Sequence, residues 1–106
     1  ETGSNENGSW VKYEDGTMIC RLVKQSDLTP NNSTGGIFTS NTETWNYPQE
    51  FSTSTNLVVT VDVVGASRWG TLTTTPSPTQ VNYRILSASD SSSKSNVVLC
   101  AIGKWK

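Results

Sequence analysis

No histidine occurs anywhere in the 106 residues. Its absence removes the usual general base, so neither a Ser-His-Asp nor a Cys-His nucleophilic arrangement can be assembled. Charge is scarce as well. Asp, Glu, Lys and Arg make up 16% of the chain, against about a quarter in an average domain. Eight basic and nine acidic residues leave a formal net charge of -1. Such a balance exerts no broad pull on nucleic acid or anionic lipid, so neither is an expected partner. No apolar run approaches the ~20 residues of a membrane span; the longest, Leu57 to Val64, is interrupted by Thr60 and Asp62. No secretory leader pattern is present. Gly35-Gly36 and Gly65 lack the spacing of a phosphate-cradling loop.

The two cysteines, Cys20 and Cys100, allow one bridge at most. Each falls inside an expected strand among apolar neighbours. Two readings stand: a pair of free thiols packed as small hydrophobes, or a disulfide closing most of the chain. With no histidine they do not add up to a zinc site. The carboxylates Glu14, Asp15, Asp27, Glu43, Glu50, Asp62 and Asp90 are dispersed, mostly in or beside expected turns. No acid/base pair emerges from them, so an enzyme is not expected, nor a cofactor.

What the chain has in abundance is Thr, Ser, Asn, Val and Gly, which favour strands and turns over helix. Period-2 alternation recurs, while apolar spacing at i, i+3, i+4 does not. Residues 1–8 read as a flexible lead-in and 9–106 as one domain. Asp15-Gly16 signals a hairpin with a type I′ turn between Ser9–Glu14 and Thr17–Gln25. In the return strand Met18, Cys20 and Leu22 face one way and Ile19, Arg21 and Val23 the other. Residues 26–36 form a loop, Ile37–Thr39 a short edge strand, and Thr42–Tyr47 a strand stopped by Pro48, with Phe51 entering the core. Leu57–Val64 is the central strand, and its second face, with Val58 and Val64, is apolar enough to be covered. Arg68–Thr75, Thr79–Ser87 and Ser95–Trp105 follow, with a Ser-rich loop over 88–94. Six or seven strands joined by turns, without crossover helices, predict an antiparallel β-sandwich.

Four tryptophans offer stacking surfaces for sugar rings as well as core volume. Trp10, Trp45 and Trp105 suit packing or anchoring. Trp69, between Arg68 and Gly70, is the candidate platform, an aromatic beside a guanidinium. Asp62 interrupts a valine-rich strand, as a sugar-hydroxyl acceptor, a subunit contact or a solvated residue. Tyr83-Arg84 is a second aromatic–guanidinium pair, whose members must face opposite ways on a strand. Arg68, Trp69, Asp62, Tyr83 and Arg84 are therefore the candidate ligand-binding residues.

Asn7-Gly8-Ser9-Trp10-Val11-Lys12-Tyr13 running into Asp15-Gly16-Thr17-Met18-Ile19-Cys20 resembles the opening of C-terminal receptor-binding domains of phage tail fibres. Thr44-Trp45-Asn46-Tyr47-Pro48 with Phe51, and Ala101-Ile102-Gly103-Lys104-Trp105, are similar to later segments of those domains. The resemblance spans about residues 7–106. Such domains look similar in turn to H-type lectins, six-stranded antiparallel sandwiches that are usually trimeric and bind sugars near subunit boundaries. Arg68 is the nearest match to that pattern's strand arginine, while its histidine has no counterpart here. The resemblance implies a homotrimeric fibre-tip domain on a virion. Its partner would be a bacterial surface glycan, such as lipopolysaccharide or capsule, or an outer-membrane receptor. The competing expectation is a trimerisation cap that touches no receptor.

Overall fold

The computed structural model describes residues 1–65, 67–89 and 94–106. Ala66, Asp90 and most of the expected Ser-rich loop lie outside the described residues. Every regular element described is a strand: β1 (Thr2–Asn5), β2 (Gly8–Lys12), β3 (Thr17–Gln25), β4 (Asn32–Thr34), β5 (Ile37–Thr39), β6 (Glu43–Asn46), β7 (Val58–Val63), β8 (Arg68–Leu72), β9 (Gln80–Ser87) and β10 (Asn96–Lys104). Two antiparallel five-stranded sheets result. Sheet A runs β1-β2-β3-β10-β7. In sheet B, β9 carries β5 and β6 on its path and pairs also with β8, and β4 pairs β5. The fold is the all-β antiparallel sandwich that alternation and turn residues predict, with ten strands among the described residues in place of six or seven.

The core lies between the sheets. From sheet A it takes Met18, Cys20, Val59, Val97, Leu99 and Ala101; from sheet B it takes Trp45, Val81, Tyr83 and Ile85. Trp45, Tyr47 and Phe51 stack edge to face, with ring centroids 5.1 and 5.2 Å apart, an arrangement that suits the ring quadrupoles.

Several local expectations need correction. Residues 2–5 are a strand, not a flexible lead-in: β1 pairs β2 from Thr2↔Val11 to Asn5↔Gly8. Gly3 lies flat against the Trp10 ring, where a Cβ would come within 2.2 Å of Cζ2. The Asp15-Gly16 hairpin is present but is not type I′. Tyr13 accepts from the Gly16 N–H at 3.0 Å and donates to Thr17 O at 2.8 Å, so the loop holds three residues and Gly16 alone takes a positive φ of 98°. Asp15 Oδ1 accepts the Thr17 N–H at 2.9 Å, and this bond holds its carboxyl below the usual aspartate value. Strand β4 occupies part of the expected 26–36 loop, and it makes β5 an interior strand, flanked by β4 and β9. Strand β8 stops at Leu72. Strand β7 pairs only with β10, so it is an edge, not the centre. That edge meets β8 of the other sheet at Gly70, where a Cβ would sit 2.9 Å from both methyls of Val61. Val58 and Val64 stay 57% and 59% exposed in the single chain. The two cysteines are free, and strand alternation turns them to opposite faces of sheet A: Cys20 inward opposite Ala101, Cys100 outward opposite Arg21.

Candidate functional site

The outer face of sheet B is assembled by the register of β8 on β9. Arg68, Gly70 and Leu72 stand opposite Ser87, Ile85 and Tyr83 on the inner side. Trp69 opposite Leu86 and Thr71 opposite Arg84 therefore point outward together. Trp69 and Arg84 are diagonal neighbours on that face, a separation that long and aromatic side chains bridge. Trp69 is the one exposed tryptophan, at 43%. The others are occupied. Trp45 is buried, with its indole N–H on Asn7 O at 3.0 Å. Trp105 donates to Tyr13 O at 2.8 Å under the ammonium groups of Lys12 and Lys106. Trp10 packs half-buried against the core. The Arg84 guanidinium makes no hydrogen bond or ion pair with a described residue. Farther along the face, Thr44 donates to Asn82 Oδ1 at 2.6 Å. An apolar ring, an open cation and a strip of amide and hydroxyl groups thus share one sheet face.

The remaining predicted residues lie elsewhere. Arg68 turns inward and donates to Ser95 Oγ at 2.5 Å, tying β8 to the start of β10. Tyr83 is fully buried and donates to Glu43 Oε1 at 3.1 Å. Burial first, and the adjacent carboxylate second, raise its pKa well above the ordinary tyrosine value. Glu43 is also paired with Lys24 of sheet A and accepts from Ser26 Oγ at 3.4 Å, so this polar cluster pins one sheet to the other. Asp62 is exposed on the outer face of sheet A, the other side of the sandwich from Trp69 and Arg84. The structure therefore brings together two of the five, Trp69 and Arg84.

Sheet A's outer face carries a feature that strand-by-strand reading did not assemble. Cross-strand register aligns Val11, Ile19, Ile102 and Val58 in one row, and Val23 beside Val98 in another. Alternation puts Ile19 and Val23 on one face of β3; only the register shows that four strands contribute to one apolar surface. At one end, Thr53, Thr55 and Asn56 of the 53–56 loop line an open cleft of about 420 Å³ together with Val58, Ile102, Thr17 and Lys104. Asn56 holds that loop with φ of 57°, a conformation asparagine tolerates. Among the described residues no group of His, Cys, Asp or Glu is placed to hold a metal ion.

Two solved structures share this fold over 97% of the chain. One is a Pseudomonas aeruginosa R1 pyocin fibre comprising C-terminal residues 323–701, with a TM-score of 0.61 at 19% identity. The other is an N-truncated R1-type pyocin tail fibre, with a TM-score of 0.52 at 18% identity. The chain spans 28% of the first structure and 85% of the second. No family model matches the sequence, and no curated protein does.

Proposed function

We propose that the chain is a non-enzymatic domain of the tail fibre of a phage or phage-tail-like particle, that it assembles as a homotrimer, and that it contacts a bacterial surface receptor at the fibre's distal end. The observation that carries this reading is the coincidence of two independent likenesses over the same residues. The fold matches pyocin tail-fibre fragments along 97% of the chain, and the order of motifs over residues 7–106 resembles that of tail-fibre C-terminal domains.

The receptor chemistry that best suits the outer face of sheet B is a glycan, such as lipopolysaccharide or capsule. The exposed Trp69 ring offers an apolar plane to the C–H face of a pyranose. Arg84 supplies donors for hydroxyl or carboxylate oxygens. A sheet face of this kind binds weakly per copy, and three copies on one tip raise the avidity without new contacts. Assembly is supported by the apolar outer face of sheet A, an area that water penalises in an isolated protomer.

The test is staining of host cells with the labelled domain, alongside W69A and R84A. Binding should fall at least about tenfold for W69A, a loss of ~1.4 kcal/mol per site multiplied by avidity, with oligomeric mass unchanged. Removal of surface polysaccharide should have the same effect. Staining that survives polysaccharide removal would shift the receptor to an outer-membrane protein. A domain that assembles yet coats no host cell would leave the trimerisation cap as the function.

A further inference from the structure

Three charges stand on the outer face of sheet A: Lys104, at its end, donates to Asp15 O at 3.4 Å, and farther in stand Arg21 and Asp62, one of each sign. Arg21 lies on β3, level with Cys100, and Asp62 lies on β7, level with Val98, with β10 between them. Both are exposed, and neither makes a hydrogen bond or ion pair with a described residue. They do not meet within one chain. Two strand spacings separate them sideways, roughly 10 Å, and a two-residue step adds about 7 Å along the strands. Their surroundings are Val11, Ile19, Val23, Val58, Val98 and Ile102. On a face meant for water, such a cluster of aliphatic groups is out of place. On a face covered by protein, two unpaired charges would be.

We infer that Arg21 of one copy pairs with Asp62 of the next, and that this contact sets the register of self-assembly. The inference rests on the proposal that copies of this chain pack through sheet A. A closed ring makes a heterologous contact, in which one side of the patch meets the other side of the neighbour's patch. Here the β3 side, carrying Arg21, meets the β7 side, carrying Asp62. Each copy contributes Arg21 to one contact and Asp62 to the other, so closure pairs both residues in every copy. A register slip along the strands keeps the aliphatic contact but buries both charges unpaired. The charge pair therefore acts against wrong assemblies more than it adds affinity.

The experiment measures mass by light scattering across a concentration series for the parent chain, R21D, D62R and the double variant R21D/D62R. Both positions are exposed on the protomer, so circular dichroism should show all four folded. Each single reversal puts like charges face to face and should weaken assembly by about tenfold or more; the double reversal should restore it to within about threefold of the parent. An assembled parent indifferent to either single reversal overturns the pairing alone, as does a double variant no better than the singles. A monomeric parent overturns the packing through sheet A and the pairing with it. Mixing R21D with D62R reads the symmetry: alternation satisfies every contact in a two-fold pair, whereas a ring of three always retains one like-charged contact. Full recovery on mixing therefore keeps the pairing and overturns the trimer.

Discussion

Cys20 has no exposed surface, and its thiol approaches Gln49 O at 3.9 Å. Burial pushes it from 9.0 up to about 11, and burial likewise pushes the Tyr47 hydroxyl from 10.0 up to about 12. Both groups are held in their neutral form by the fold. As pH rises the unfolded chain releases these protons first, so their contribution is complete below the unfolded values and is lost as pH climbs through the folded ones. For Cys20 the window is pH 9 to 11, for Tyr47 pH 10 to 12. Urea denaturation should therefore give constant stability from pH 7 to about 8.5 and a fall above it, roughly 2–3 kcal/mol of which is due to Cys20. In C20A the parent's stability at pH 8 should drop by about 1 kcal/mol from the lost side-chain packing, and the decline between pH 9 and 11 should become shallower. An equally steep decline in C20A would remove Cys20 as its cause. At this scale the sequence is informative about orientation and silent about neighbours. Alternation separates Tyr83 from Arg84, whereas Cys20 and Cys100 are turned apart only once β10 is registered on β3. The meeting of Trp69 with Arg84 depends on the register of β8 against β9, which no local signal encodes.

Strands β1 and β4 carry no alternation signal, for one shared reason. Thr2–Asn5 and Asn32–Thr34 are polar and mostly exposed, so neither shows the in-out alternation that marks a half-buried strand. The hairpin of β2 and β3 was legible because Asp15-Gly16 supplies both a side-chain acceptor for the turn and a residue free to take positive φ. Strand β7 was legible as a strand but not as an edge, since a sequence of valines specifies which side chains go inward and not which strands lie alongside. Strand β1 nevertheless does structural work. It shields the Trp10 ring through Gly3, and Asn5 Nδ2 donates to Pro48 O at 3.0 Å, joining the hairpin to the segment after β6. Deleting residues 1–6 should leave a folded sandwich with the tryptophan emission shifted to the red and stability reduced by about 2 kcal/mol, the scale of uncovering much of a large aromatic ring. Unchanged emission and an unchanged urea midpoint would show that β1 covers nothing of consequence.

The whole protomer measures 45 × 23 × 18 Å with a radius of gyration of 14.6 Å, longer and thinner than the about 13 Å expected of a compact chain this size. Glu1 hydrogen-bonds Lys12 and Trp105 bonds Gly16, so both ends of the chain lie at the pole of the β2–β3 turn. Val23, Val58, Val64 and Ile102 leave an exposed aliphatic flank on sheet A, and no strand among the described residues covers it. Burial of that face against further copies would couple folding to assembly. For three copies unfolding and dissociating in one step, a hundredfold rise in concentration stabilises each protomer by two-thirds of RT ln 100, about 1.8 kcal/mol. At roughly 4–8 °C per kcal/mol for a domain near this size, the melting temperature should climb on the order of 10 °C between low and high micromolar protein. The R21D variant, with assembly weakened about tenfold or more, should melt at each concentration no higher than the parent does at about tenfold greater dilution. Differential scanning calorimetry over that range decides the matter: a parent whose melting temperature ignores concentration folds without help from its neighbours, and the flank of sheet A would then be a solvent face in spite of its valines.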